Sequence, residues 1–436
     1  MTSSLRIAAR IACFSIVFWF APAVAAEKWP EMSITKEQIK LIDETLAGPY
    51  GNFHDASYKD QIGPYDTLGD YFGASLARFT DDGEIFLDKE GIPKIKYQDE
   101  IYYNPVTVAQ YALSLYGRHV KGEGGLLDSF RAAADKLLEI QSSDGGFSYP
   151  IELHHKDPPL APGWRSAMAQ GQAMSALARA FHVFKDRKYI AAGEKAYANL
   201  RNPVSKGGTR ATLSDLDPSL SAYVFFPEYP YKPLDYTLNG YLFTLIGLYD
   251  WSLADAPSSK RTKKDFLKGI ETLEKILPYY DIDGYSAYDL GHLVYDLPPY
   301  IANSYEGIHI YLLHGLNSIV SSPTLKYFET IWTRKIESLN LPLRITKIAI
   351  ENKHARPRET VKLTLDTRGG TNAPVTYQFA VKFDGEWTFP QPYSSEREFY
   401  WSPQEPGEYA LGFYVKNSDS DAPYDNFRWR TYVVEP

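Results

Sequence analysis

Acids, phenols and amides gather in three short stretches of this sequence, each just ahead of an apolar run with helical period. The first is Asp144-Gly145-Gly146-Phe147, followed by Gly163-Trp164-Arg165-Ser166-Ala167-Met168-Ala169-Gln170-Gly171-Gln172. Its glycine turns expose backbone, and Trp164, Arg165, Gln170 and Gln172 offer an apolar face and donors suited to a polyol or a carboxylate. The second is Phe225-Phe226-Pro227-Glu228-Tyr229-Pro230, an acid and a phenol between two prolines, with Asn239-Gly240 downstream. The third runs from Tyr285-Ser286-Ala287-Tyr288-Asp289-Leu290-Gly291-His292 to Ala302-Asn303-Ser304-Tyr305-Glu306-Gly307-Ile308-His309.

Such groups can move a proton on a sugar. Removing a hydrogen α to a carboxylate requires the substrate charge to be neutralised and a base to lie against the carbon. Free Tyr titrates near 10 and Glu near 4.3, so either cations must lower a phenol or burial must raise a carboxyl. A base on one face and an acid on the other invert the centre, whereas assisted departure of the C4 substituent is an elimination. Each cluster also has a plain structural reading: a tyrosine staple, Asp289 as a helix cap, His309 as a satisfied core histidine.

No nucleotide-loop, dinucleotide, zinc-protease, hydrolase-elbow or EF-hand motif occurs. His154-His155 sits in a proline-rich loop with no carboxylate at ligand spacing and reads as surface; no metal and no cofactor are expected.

The elements that must position these groups follow from the hydrophobic period. It predicts helices over 106–116, 129–141, 166–184, 188–198, 239–253, 263–277, 305–318 and 324–340, separated by Gly/Pro/Asp-rich connectors. A loose repeat, a polar residue among small ones at the start of an apolar helix followed by an amphipathic helix, recurs four times. Such hairpins bury their faces only by stacking, so the fold class is mainly α, an incomplete (α/α) toroid whose helix starts rim a cleft. Ahead of it, residues 27–105 carry a helix over 36–46 and a β-hairpin region around Glu84–Tyr97. After it, residues 342–436 alternate with period 2 as six or seven short strands, an immunoglobulin-like β-sandwich read as an accessory domain. The toroid occupies 106–341.

Arg6 and Arg10, the apolar run from Ile11 to Ala25 and the small residues before Glu27 read as a signal peptide over 1–26, so an exported, periplasmic or secreted protein without an integral membrane span is expected. Cys13, the only cysteine, leaves with it, which excludes disulfides and thiolate chemistry. The net charge of −8 becomes −10 when the two leader arginines go, which argues against nucleic acid or anionic membrane as a partner. With 44% apolar residues the chain can bury a sizeable core, and 34 of its residues are tyrosine, a type shared by cores, strands and sugar-binding grooves.

The three clusters, together with Leu238-Asn239-Gly240, Leu245-Ile246-Gly247-Leu248-Tyr249-Asp250 and Tyr305 with His309, resemble the C-terminal catalytic region of D-glucuronyl C5-epimerases from about Asn104 to Trp332. That family has an (α/α) toroid and uses no redox cofactor. The resemblance implies conversion of glucuronate to iduronate in a heparosan- or heparan-type polysaccharide. It casts Glu228, with Tyr229 beside it, as acid/base on one face of C5, and Tyr288 with Tyr305 on the other. Trp164, Arg165, Gln170, Gln172, Asn239, Asp289, His292, Asn303 and His309 become substrate-binding candidates, and a homodimer is a possible assembly. Three departures stand out. Gly291 replaces the arginine of the animal Tyr-Asp-Leu-Arg-His, Asn303-Ser304-Tyr305-Glu306 replaces a Trp-Asp-Tyr-His, and a β-rich insertion is absent while a sandwich is appended. The alternatives are a uronate polysaccharide lyase and a non-catalytic polysaccharide-binding protein.

Overall fold

The computed structural model describes residues 62–79, 85–295, 297–301, 305–338, 343–352, 354–371 and 373–436; the expected signal peptide, the helix over 36–46 and Asn303 lie outside them. All eight helices of the periodic region form: α1 Pro105–Val120, α2 Leu127–Ile140, α3 Ala167–Phe184, α4 Arg187–Arg201, α5 Leu238–Leu253, α6 Ser259–Tyr280, α8 Glu306–Val320 and α9 Pro323–Ser338, with a one-turn α7 Gly291–Val294 between. Their ends follow local chemistry. Asn104 caps α1 by accepting from the Val106 and Thr107 amides ahead of Pro105, and Ser166 and Asp186 cap α3 and α4.

The helices sort into two rows. Each of α2, α4, α6 and α9 packs on the helix before it, while α1, α3, α5 and α8 pack in succession on one another. The inner row is buried almost all round: α3 from Ala167 to Ala180 and α5 from Leu238 to Leu248 have no exposed residue. Where α3 crosses α5 the backbones touch. A Cβ on Gly247 would stand 2.3 Å from the Gly171 carbonyl oxygen, and one on Gly171 would stand 2.7 Å from Thr244 Cα. Glycine at both positions is what lets the two helix starts come close enough for their loops to meet.

One ion pair ties the far half of the same crossing. Arg179 donates to Asp250 at 2.8 Å, both fully buried, and Tyr65 donates to both Asp250 oxygens at 2.9 and 2.7 Å.

The N-terminal strands are β1 Ile85–Leu87, β2 Pro93–Tyr97 and β3 Glu100–Tyr102, an antiparallel sheet one strand larger than the expected hairpin. Short ribbons β4 Ala211–Thr212 with β5 Val224–Phe225, and β6 Asp281–Ile282 with β7 Tyr285–Ser286, brace the loops before α5 and α8. Beyond Leu343 the regular elements of the described residues are strands joined by turns. β8 Arg344–Ile350, β9 Val361–Arg368 and β12 Glu398–Trp401 make one antiparallel sheet; β10 Val375–Phe383, β11 Glu386–Ser394, β13 Gly407–Asn417 and β14 Asn426–Val434 make the other. Leu363 and Leu365 from the first and Phe379, Leu411 and Phe413 from the second share one buried core, the period-2 pattern placing apolar residues inward from both.

Candidate active site

Backbone hydrogen bonds join the loops that precede α3, α5 and α8. The Ala167 amide at the start of α3 donates to the Pro227 carbonyl at 3.0 Å, and the Leu238 amide at the start of α5 donates to Tyr288 at 2.9 Å. Tyr288 in turn donates to the Tyr300 carbonyl at 2.8 Å, and Leu290 to Asp235 at 2.8 Å. Free amides at helix starts are satisfied by neighbouring loops, and the cross-links fix Glu228 and Tyr288 with respect to each other.

Glu228 is 8% exposed, and Asn239 donates to its Oε2 at 3.1 Å. Burial pushes its carboxyl up to about 7, against hydrogen bonds from Tyr229, Asn239 and the Gly240 backbone that pull it down. The fit is close. A Cβ on Gly240 would stand 2.3 Å from Glu228 Oε2 and 2.5 Å from its Cβ, so only glycine leaves room for this carboxyl. Gly240→Ala is therefore expected to displace Glu228 and lower turnover about 100-fold while the helical circular dichroism is unchanged.

Around the acid stand the phenols. The Tyr229 and Tyr288 hydroxyls are 3.4 Å apart, and the Tyr288 and Tyr305 rings meet edge to face at 4.8 Å. Burial, then the nearby Glu228 charge, raises all three, Tyr305 to about 12. The sequence asked for either a lowered phenol or a raised carboxyl; the fold raises both, so the phenols stay protonated and the carboxyl titrates near neutrality. Trp164 stacks on Tyr149 at 3.9 Å and lies 5.9 Å from Tyr229, forming an aromatic wall.

The other expected binding residues divide. Arg165 is not free for a substrate: it pairs with Asp144 at 2.7 Å and donates to the Gly207 carbonyl. Gln170 is a fully buried clamp, accepting from Phe147 and donating to Asn199 at 2.9 Å, and it stands away from solvent. Gln172 is fully buried, with neither amide atom partnered among the described residues. His309 is core, as the plain reading allowed: Ser286 lies 2.7 Å from its Nδ1 and bonds Glu306 with both its amide and its hydroxyl, and burial drives the imidazole down to about 3. Burial also lowers His292, which lies in α7. Asp289 does not cap α7 from its flanking position, yet its Oδ1 accepts from Gly291 N at 2.8 Å.

The proline-rich loop is at the surface, with both histidines exposed, and it also borders the phenols. His154 pairs with Glu152 at the surface, but the His155 ring lies 5.3 Å from Tyr229 and 6.1 Å from Tyr288. Lys156 donates to Asp289 Oδ2 at 2.7 Å, and its amide donates to the Tyr231 hydroxyl. Asp235 joins them, fully buried with Oδ2 unpartnered among the described residues, its carboxyl pushed up to about 8 by burial and then by Asp289. One ligand atom each from His155, Asp235 and Asp289 lie within 4.8 Å of one another, a set that can hold a divalent cation, although the Lys156 ammonium already lies against Asp289. A signal existed for Asp235, which stands two residues after Pro233 ahead of the helix that Glu228 also precedes; nothing local marks Lys156.

Comparison with known proteins returns to the same stretch. The family described as D-glucuronyl C5-epimerase C-terminus matches residues 141–334, and the Y_Y_Y domain matches 370–434. A D-glucuronyl C5-epimerase of Caenorhabditis elegans is 34% identical over 47% of this chain and 34% of its own length. An uncharacterized protein of Methanocaldococcus jannaschii is 28% identical over 39% and 52%. The chain thus spans about a third and about half of these two relatives. Among solved structures, a family 76 glycoside hydrolase from a bovine Bacteroides thetaiotaomicron strain aligns with TM-score 0.37 and 12% identity over 53% of this chain and 47% of that one.

Proposed function

Residues 141–334 belong to the D-glucuronyl C5-epimerase C-terminus family, and from that premise we propose that this chain is an isomerase inverting C5 of glucuronate residues to iduronate in a heparosan- or heparan-like polysaccharide. The observation that carries the reading is a buried carboxyl poised near neutrality among protonated phenols. Ionised Glu228 takes the C5 proton, and the electron pair moves into the uronate carboxyl group. A phenol, Tyr305 or Tyr288, gives its proton to the opposite face, and where Tyr288 is the donor the 3.4 Å contact of its hydroxyl with Tyr229 helps share the negative charge left on the phenolate. Return of the proton from Glu228 to the phenolate resets the site, and passage through water labels the sugar. No residue in this scheme depends on a cofactor.

Incubation of heparosan in deuterated water should place deuterium at C5 and yield iduronate by NMR. Absorbance from a 4,5-unsaturated uronate would instead make the enzyme a lyase, and binding without label or unsaturation a polysaccharide-binding protein. The pH profile follows from Glu228. Because its carboxyl must be ionised to accept the proton, kcat/KM for exchange should rise through about pH 7 and stay level above it, the phenols remaining protonated. A limb below pH 5 would contradict a buried base.

The same reading takes the two helix rows of 106–341 as an incomplete (α/α) toroid bearing the site, 27–105 as its β-hairpin-bearing N-terminal region, and 342–436 as an accessory immunoglobulin-like β-sandwich. Residues 1–26 act as an export signal, which puts the enzyme with exported polysaccharide in the periplasm or outside the cell. No described helix is long and apolar enough to cross a membrane.

A further inference from the structure

Proton removal beside a carboxylate leaves charge on that carboxylate, and a cation aimed at it lowers the barrier. The arginine the sequence offers is occupied: Arg165 is held by Asp144, Ser148 and the Gly207 carbonyl. A different cation reaches the site from the loop before α3. Leu153 and Leu160 bond each other's backbones at 3.0 Å in both directions, closing that loop, and the Lys156 amide is pinned to the Tyr231 hydroxyl at 3.2 Å. The closed loop lays His155 on the Tyr229 and Tyr288 rings and turns the next side chain, Lys156, inward until it is only 12% exposed.

An ammonium has three donors. Among the described residues the Lys156 ammonium has one acceptor, Asp289 Oδ2 at 2.7 Å, and Asp289 is itself fixed by the Gly291 amide at 2.8 Å. Two donors on a nearly buried cation are left for a ligand. Asp235 does not consume them, its Oδ2 having no partner among the described residues. The neighbouring His155 lies against the rings of Tyr229 and Tyr288, so Lys156 stands one residue from the phenols that surround the base. Gly291 supplies the space. A Cβ there would stand 3.3 Å from Lys156 Nζ and 2.9 Å from Asp289 Oδ1, so the lysine from one loop fills the room that a side chain on the other would need.

We infer that Lys156 is the residue that binds the carboxylate of the uronate substrate, aimed by Asp289 and admitted by the missing side chain at 291. The inference rests on the uronate reading of the site. Lysine here does the work at this position that a long basic residue at 291 can do from the opposite side, so the two are exchangeable but not additive.

The test is calorimetric binding by the full chain of heparosan oligosaccharides and of the same oligosaccharides with carboxyl groups reduced to alcohols. The wild type should prefer the acid form about 10- to 100-fold, the range of a hydrogen bond to a charged group. Lys156→Met should bring that ratio close to 1, Lys156→Arg should keep most of it, and Lys156→Met with Gly291→Arg should restore it. Gly291→Arg alone should not raise it. Thermal melts guard against misfolding, and Lys156→Arg keeps the test valid if Lys156→Met is unstable. An undiminished preference in Lys156→Met overturns the inference, as does a wild type indifferent to the carboxyl group, or acid binding that appears only with added calcium or manganese. Selective binding without deuterium at C5 would leave Lys156 as assigned and overturn the epimerase reading instead.

Discussion

Glu228→Gln is expected to remove C5 deuterium incorporation, by a factor of about 10²–10⁴, while leaving the fold intact. The amide keeps the shape of the side chain and can turn its oxygen toward Asn239, whose Nδ2 now donates to Oε2 at 3.1 Å. What disappears is the capacity to hold the proton. Stability should move in the opposite direction. The folded carboxyl titrates near 7, above the ordinary value of a free glutamate, so burying its charge costs stability progressively as pH rises from about 4.5 to 7, and fully above that. Glu228→Gln removes the cost, and its melting temperature at pH 8 should be at least that of the wild type, the two converging near pH 4. Loss of both label and melting temperature at pH 8 would mean the substitution disturbed packing, and retained label would remove Glu228 from the mechanism.

Asp250→Ala carries the largest expected loss of stability, about 3–5 kcal/mol by urea denaturation. Asp250 and Arg179 are both fully buried, and the carboxylate also accepts from the Tyr65 hydroxyl. Removing the acid leaves the guanidinium in the core with the Ser175 carbonyl and the Tyr65 hydroxyl as partners, at 3.0 and 3.2 Å. An uncompensated buried charge is far costlier than the loss of a surface pair. Arg179→Met together with Asp250→Ala should recover much of the loss, because no lone charge remains. A change below 1 kcal/mol in Asp250→Ala would show that water reaches the pair. The consequence would extend to chemistry, since the pair locks the crossing of α3 and α5 whose opposite ends carry Trp164 and Asn239.

Much of this was legible in the residues. A 3.6 period marked every long helix, and a change to period 2 near Leu343 marked the strands, because both signals are set by which face of a local element meets the core. Proline and glycine around Glu228-Tyr229 and before Tyr305 flagged the loops at the helix starts, and the first of these loops does carry the buried acid. Residue type was a poorer guide to role. Gln170 and His309 have the chemistry of sugar ligands, yet both are fully buried, Gln170 bonded to the Gly145 turn and to α4 and His309 to Ser286. Arg165 looked like the cation of the site and is neutralised by Asp144, twenty-one positions earlier.

By itself the sequence determined the helices, the strands and the loops that carry reactive groups. These follow from short-range sterics, from hydrophobic period and from side-chain chemistry, all of which are written along the chain. Only the tertiary structure decided which of these groups are buried together, which cations are already paired and which amides are spent on holding loops. Those outcomes depend on burial and on pairs such as Lys156 with Asp289, 133 positions apart. Close helix crossings, such as that of α3 on α5 at Gly171 and Gly247, help bring such loops together. A pKa or a salt bridge belongs to the surroundings of a group, and in this protein those surroundings are assembled from distant loops.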